Sequence, residues 1–227
     1  MKKANESNEL LRQGTQYLLG REVLKDECKA RSLLVQAAEL ENPDALYLAS
    51  VMLGNGLGGP FDRATAFRFL QRAVELGNLE AIYSLGYCYI NGGMGSIGYS
   101  EEVLRQKLVP VDVVKGLELL KAAVVRGHAL AALRIAEYWD GRAEAEPAML
   151  SHAVEWYEKG MTLGEPNCLI HLADLHILGK GLDKDRKKAW ILYNRALMSQ
   201  DICAKTTAEQ RLEQFDNLET LLNDEER

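Results

Sequence analysis

Internal repetition is the feature of this 227-residue sequence that most restricts its fold. The clearest unit, residues 43–78, places apolar residues at helical spacing on both sides of the glycine-rich break GNGLGGPF, which predicts two helices, A and B, joined by a turn. The unit recurs with a period of 36 residues where nothing is inserted. Such pairs bury apolar residues against neighbouring pairs, so the sequence predicts an array with a continuous core.

The predicted array is a single domain spanning residues 1–227. Its repeats cover residues 5–41, 42–77, 78–127, 128–164 and 165–201. The third repeat is the longest, because 14 residues are inserted between Gly92 and Asp112. Insertions in repeat proteins lie in loops on one face, so this segment is either a tolerated surface loop or part of a functional face.

Helix ends are marked at the same position in most copies. An Asp stands where helix B begins, and its carboxylate can accept hydrogen bonds from first-turn N–H groups. A glycine follows helix A and permits the left-handed conformation that ends a helix. These residues are Asp26, Asp62, Asp112 and Asp185 before helix B, and Gly20, Gly56, Gly92 and Gly179 after helix A. The fourth repeat has lost its Asp.

Small residues alternate with bulky ones along both helices. Two helices approach closely only where one presents Ala or Gly to a large side chain of the other. The small positions include Ala37, Ala73, Ala123, Gly160 and Ala196 in helix B, and Gly14, Ser50, Gly86, Ala136 and Ala173 in helix A. Trp156, one of the bulky pair in the fourth helix B, is predicted to lie in the core.

The repeat resembles the Sel-one-like repeat (SLR), a close relative of the tetratricopeptide repeat. The residues that carry the resemblance best are Ala81, Leu85, Gly86, Tyr89 and Gly92 in the third copy, and Asp185, Ala189, Tyr193 and Ala196 in the fifth. It extends over about residues 5 to 201, with departures such as Cys168 in place of the first Ala. The resemblance implies an all-α fold, a right-handed α/α superhelical solenoid of five SLR helix-turn-helix repeats.

The last part of the sequence predicts one more helix. Leu212, Phe215, Leu218 and Leu222 follow helical spacing after Thr206, which is a suitable start. We therefore expect a C-terminal capping helix over about residues 206–223.

Composition restricts the partner and the compartment. A formal net charge of −6 argues against nucleic acid or an anionic membrane surface, since both attract clustered Lys and Arg. No apolar run is long enough to cross a membrane, and the N-terminal residues are too polar for a secretory signal. The four cysteines occupy different repeat positions and are predicted to be free thiols, buried where they lie on helices. These features predict a cytoplasmic protein without membrane insertion.

Three groups of residues could carry chemistry. The glycine run from Gly54 to Gly59 follows a helix and lacks a phosphate-binding Lys. His171 and Asp174 share a helix face from which His176 is turned away, which argues against a metal site. Cys168 near His171 could form a thiol hydrolase, but Cys168 stands where the repeat has a small packing residue. The sequence predicts no enzyme, no catalytic residue, no metal and no cofactor, with a Cys/His hydrolase as an alternative.

The resemblance implies a function, because SLR proteins commonly serve as adaptors. We expect a non-enzymatic scaffold that binds a protein or peptide on a concave face lined by A helices. The residues of that face not required for packing are Tyr47, Val51, Tyr83, Tyr87, Asn91, Arg134, Glu137, His171 and Asp174. Tyrosines beside a few charges are typical of protein-recognition surfaces. The alternative is a bacterial immunity protein that neutralises a cognate toxin by direct binding.

Overall fold

The computed structural model describes residues 2–92 and 110–225, and within these ranges the regular structure is helical, without strands. The α-helices are α1 (Lys2–Leu19), α2 (Glu27–Glu39), α3 (Pro43–Asn55), α4 (Arg63–Glu75), α5 (Leu79–Asn91), α6 (Val113–Val125), α7 (Ala129–Arg142), α8 (Leu150–Thr162), α9 (Pro166–Leu178), α10 (Arg186–Leu197) and α11 (Ile202–Glu225). The all-α class and the five A–B pairs, from α1/α2 to α9/α10, are confirmed. The predicted insertion falls mostly on residues 93–109, outside the described residues.

The predicted helix ends are confirmed, and local hydrogen bonds explain them. Each of the four Asp residues caps its B helix, because a carboxylate oxygen accepts the N–H three residues later at 2.9–3.1 Å. The four glycines after helix A have φ between 65° and 69°. The fourth B helix instead follows a 3-10 turn, Pro147–Met149, and Glu146 before this turn makes no side-chain capping bond with a described residue.

A second left-handed residue follows in three of the A–B loops, two positions after the closing glycine. Its occupants are Glu22, Gly58 and Gly181, with φ of 64°, 70° and 67°. Gly58 lies against the first turn of α2 in the preceding repeat, since a Cβ there would be 2.1 Å from the Glu27 carbonyl oxygen. Gly181 similarly faces the start of α8, where its Cβ would be 2.7 Å from Leu150 Cγ. In these two repeats the loop therefore packs on the preceding B helix.

The chain divides into two compact units, Met1–Arg126 and Gly127–Arg227. In unit 1 the small positions Ala37, Ala73 and Ala123 have no exposed surface, as expected of helix contacts. In unit 2 one core cluster includes Ala136, Ala153, Tyr157 and Cys168, and the other includes Ala173, Ala189, Tyr193 and Ala196. The alternation of small and bulky residues thus forms the core of both units.

Two predictions about burial are wrong. Trp156 is only partly buried, with Lys159 Nζ 5.0 Å from the centre of its ring, whereas the neighbouring Tyr157 is fully buried. Consecutive helical side chains point about 100° apart, so Tyr157 faces the core directly while Trp156 packs against the edge of the same cluster. Cys28 and Cys203 lie on helices but are exposed, unlike Cys88 and Cys168. All four cysteines are free thiols, as predicted.

The last helix begins earlier than predicted. It starts at Ile202 instead of Thr206, because Asp201 Oδ1 accepts the Ala204 N–H at 2.9 Å and caps it. Ala204 and Ala208 are fully buried, 36 residues after the buried Cys168 and Leu172 of α9. Helix α11 therefore occupies the place of helix A in a further half-repeat. The side chains of Phe215, Leu218 and Leu222 lie outside the described residues.

Gly160 of α8 and Cys168 of α9 are matched in size. A Cβ on Gly160 would be 2.4 Å from Cys168 Sγ, and both residues are buried. In the first three repeats the equivalent positions carry alanine on both helices, namely Ala37 with Ala45 and Ala73 with Ala81, all without exposed surface. The larger thiol at 168 is therefore accommodated by the absence of a methyl group at 160.

We expect Gly160→Ala to lower the free energy of unfolding by about 1–2 kcal/mol. Overpacking costs about 1–3 kcal/mol, and the higher helix propensity of alanine offsets up to about 1 kcal/mol of it. In the Gly160→Ala background, the further change Cys168→Ala removes the sulfur that the new methyl group overlaps, so the double variant should be at least as stable as the original chain. Urea unfolding of the two single variants and the double variant measures the coupling. An equal loss from Gly160→Ala in both backgrounds would contradict this match.

Candidate functional site

The predicted partner-binding residues lie on the A helices of both units. We call these sets the A-helix faces. The set in unit 1, on α3 and α5, is Tyr47, Val51, Tyr83, Tyr87 and Asn91, and the set in unit 2, on α7 and α9, is Arg134, Glu137, His171 and Asp174.

Tyr83 does not belong to an exposed face, so its assignment as a partner contact is wrong. Its side chain has 0% exposed surface, and its ring centre lies 6.5 Å from that of Tyr87. Tyr83 stands three residues before the small residue of helix A, where the fourth and fifth repeats have Leu133 and Ile170, only 3% and 4% exposed. The apolar residues at this position were a signal in the sequence that it belongs to the core.

The remaining predicted residues of unit 1 differ in exposure. Tyr47 occupies the same repeat position as Tyr83 and packs half-buried against the core of the unit. Burial raises the pKa of Tyr47, because the phenolate is disfavoured away from water. Val51 and Tyr87 are partly buried, and Asn91 is exposed. The accessible part of this face is therefore centred on Val51, Tyr87 and Asn91.

Two asparagines one repeat apart have the same local geometry. Asn91 Nδ2 donates to the Tyr87 carbonyl at 3.1 Å, and Asn55 Nδ2 donates to the Val51 carbonyl at 3.0 Å. Each bond uses one of the two amide N–H groups and orients the side chain. Sequence reasoning missed Asn55, although its 36-residue separation from Asn91 would have identified it.

The A-helix face of unit 2 contains an ion pair. Arg134 Nη1 lies 2.7 Å from Glu137 Oε2, and the two side chains are 27% and 35% exposed. His171, at the equivalent of Arg134 in the next repeat, stacks on the ring of Tyr157 with centres 4.8 Å apart and an interplanar angle of 11°. Arg134 and Glu137 therefore form a partly exposed ion pair on this face, and His171 exposes one side of its stack with Tyr157.

Two buried tyrosines join A and B helices through carboxylates. Tyr157 of α8 donates its hydroxyl to Asp140 Oδ2 of α7 at 3.1 Å. Tyr193 of α10 donates to Asp174 Oδ1 of α9 at 2.5 Å, and the same oxygen lies 3.2 Å from Arg211 Nε of α11. Burial, together with the adjacent carboxylate, raises the pKa of both tyrosines. Asp174 thus ties three helices together, a structural role that the sequence did not indicate.

Cys168 and His176, candidates for catalysis and metal binding, have surroundings that fit a role in packing and local structure. Cys168 has no exposed surface, and burial raises the pKa of its thiol, with Glu165 and Glu137 acting in the same direction. A nucleophilic cysteine needs the opposite shift. His176 Nδ1 lies 3.0 Å from the Asp183 carbonyl oxygen. Among the described side chains, those of residues 3–92 and 110–214, no three His, Cys, Asp or Glu are placed to hold a metal ion.

None of the helices in the described ranges combines the length and apolar character needed to span a bilayer. Paired helices, Asp caps, left-handed glycines and alternating packing sizes define an all-α helical-repeat protein. The Sel1 repeat matches residues 14–42, 43–78, 79–101, 129–164 and 166–201, and the chain belongs to this family. Sel1 repeats generally mediate protein–protein interactions and are typically non-catalytic.

Solved structures share the fold. A Sel1 repeat protein from Oxalobacter formigenes superimposes with a TM-score of 0.72 at 22% identity, over 88% of this chain and 76% of the other. A protective antigen of uropathogenic Escherichia coli strains with an SLR fold superimposes with a TM-score of 0.69 at 22% identity, over 92% of this chain and 41% of the other. No curated protein matches the sequence.

Proposed function

We propose that the chain is a non-enzymatic cytoplasmic adaptor that binds a protein or peptide segment on the A-helix face of unit 1. Membership of the Sel1 repeat family supports a protein partner. The free state of all four cysteines is in keeping with a reducing compartment.

The observation that carries this proposal is the repeated pair of oriented amides, Asn55 and Asn91, next to Val51 and Tyr87. An asparagine amide can donate to and accept from a peptide group, so two of them one repeat apart suit the main chain of a bound segment. Val51 and the ring of Tyr87 supply partly exposed apolar surface beside these amides. Helices α3 and α5 contain no Lys or Arg, and their carboxylates are Asp44 and Glu80. The face thus suits a neutral or basic segment.

Affinity capture from native cells, followed by calorimetry with the captured partner, tests the proposal. The variant Val51→Lys with Asn91→Ala should weaken binding at least tenfold, because it removes one amide and introduces into the apolar contact a positive charge that a basic segment repels. Glu118→Ala, an exposed change on the B helix α6, should leave binding unchanged. Tyr83 is not a suitable test position, because its burial would confuse binding with stability.

Equal affinity of the face variant and the original chain would count against this surface. Identification of the partner also separates the two candidate functions. Tight one-to-one binding of a toxin would support an immunity protein, whereas a component of a larger assembly would support an adaptor.

A further inference from the structure

Unit 2 has a second accessible surface, a groove along the B helices α8 and α10. Two adjoining hollows of about 570 and 250 Å³ share Met161. Their apolar lining includes Met161, Leu169, Leu172, Ile191 and Met198. We call this surface the B-helix groove. It does not include the predicted residues of either A-helix face.

Two apolar residues along the groove are exposed, one in α10 and one directly after it. Ile191 is 43% exposed and Met198 is 86% exposed. In the other four repeats the position of Ile191 carries the exposed polar residues Ser32, Arg68, Glu118 and Glu155. The fold therefore accepts a polar residue at this position in every other copy, and packing does not require isoleucine at residue 191.

Helix α10, which forms one wall of the groove, is basic although the whole chain carries a net charge of −6, since it contains four Lys and Arg and no Asp or Glu. Residues 180–195 contain six Lys and Arg against two Asp. Lys188 Nζ is 3.9 Å from Asp185 Oδ2, and Arg195 Nη1 is 3.9 Å from Met161 Sδ. Two carboxylates also line the hollows, Glu158 and Asp201, and Asp201 is occupied in capping α11. The two cations and two carboxylates of the lining balance, so the positive charge that is complementary to an acidic ligand is the excess on α10.

We propose that the B-helix groove binds a peptide segment of a partner protein that carries large apolar side chains next to Asp or Glu residues. The apolar side chains enter the hollows against Met161 and Ile191, and the carboxylates lie near Lys188 and Arg195. Methionine adapts its shape to different apolar partners, which suits such a contact. A concave groove favours a peptide over a flat membrane.

Selection of 12-residue peptides from a displayed random library on the intact chain tests this proposal. Selected peptides are resynthesised, and their dissociation constants are measured by fluorescence anisotropy. We expect them to combine large apolar residues with Asp or Glu. Ile191→Glu, which introduces the residue found at this position in α8, should weaken binding at least tenfold. Lys188→Gln with Arg195→Gln should weaken it several-fold and reduce its dependence on salt.

The matched control is Val51→Glu on the A-helix face of unit 1, which should leave the affinity unchanged. Failure to enrich peptides, or equal affinity for the Ile191→Glu variant, would overturn the proposal. Peptides that lose affinity with Val51→Glu instead would support the A-helix face and exclude the groove. Sedimentation with vesicles of 70% phosphatidylcholine and 30% phosphatidylserine tests a membrane as the partner. Vesicle binding that Ile191→Glu abolishes would assign the groove to lipid and overturn the proposal.

Discussion

Gly58→Ala is expected to lower the free energy of unfolding by about 2–5 kcal/mol. The left-handed backbone of Gly58, with φ of 70°, costs an alanine about 1–2 kcal/mol. The added Cβ would also stand 2.1 Å from the Glu27 carbonyl oxygen, and relief of a backbone overlap requires the loop and α2 to separate, at a further cost of about 1–3 kcal/mol. Urea unfolding followed by circular dichroism at 222 nm measures the loss.

Gly77→Ala is the matched control for this prediction. Gly77 also has positive φ, 80°, but no described atom lies within 4 Å of a Cβ built on it. Its variant should therefore lose only the conformational part, about 1–2 kcal/mol. If Gly58→Ala loses no more than Gly77→Ala, the contact between the loop and α2 does not contribute to stability.

Tyr157→Ala is the second large effect, with an expected loss of about 3–5 kcal/mol, because a fully buried aromatic ring is replaced by a cavity. Tyr157→Phe keeps the ring and removes only the bond to the Asp140 carboxylate, so it should lose about 1.5–3 kcal/mol. Trp156→Ala on the partly exposed neighbour should lose less than Tyr157→Ala. The reverse order in urea unfolding would show that the core member of the pair is Trp156.

The same tyrosine makes stability depend on alkaline pH. Burial raises the pKa of Tyr157 in the folded chain above the value of about 10 that it has when unfolded. The stabilising effect of the neutral phenol is thus complete below pH 10 and is lost as pH rises from about 10 towards the folded-state pKa. Between pH 9 and pH 11 the original chain should lose more stability than Tyr157→Phe. An equal loss in both would show that other groups cause the alkaline dependence.

Local features of the fold could be predicted from the sequence because they depend on neighbouring residues. The caps at Asp26, Asp62, Asp112 and Asp185 need only the first turn of their own helix. The glycines after the A helices need only a backbone conformation that disfavours a Cβ. A buried small residue recurs at the same place in all five B helices, as alanine in four and glycine in one, so the register does not rest on any single copy.

Features that depend on contacts between helices were harder to predict. Within its own helix, Tyr83 occupies neither the small nor the bulky packing position, so it was assigned to the surface. In the sequence, only the apolar residues Leu133 and Ile170 at the same repeat position indicate that it belongs to the core. The bonds from Tyr157 to Asp140 and from Tyr193 to Asp174 connect residues 17 and 19 positions apart, on helices whose relative rotation the sequence does not specify. Asp174 consequently looked available for a partner, although its carboxylate joins α9 to α10 and α11.

The loop contact at Gly58 also bears on the cooperativity of the array. In repeat proteins, stability is approximately a sum of the stabilities of individual repeats and of coupling between neighbours. Gly58 places the turn of its repeat on the backbone of the first turn of α2, so this part of the coupling does not depend on a side chain of the preceding helix. The turn at Gly181 packs instead on the Leu150 side chain of α8. When one repeat unfolds locally, its turn leaves the first turn of the preceding B helix, which becomes exposed to solvent. We therefore expect the amides of these turns and first helical turns to lose protection from hydrogen exchange in a common opening event.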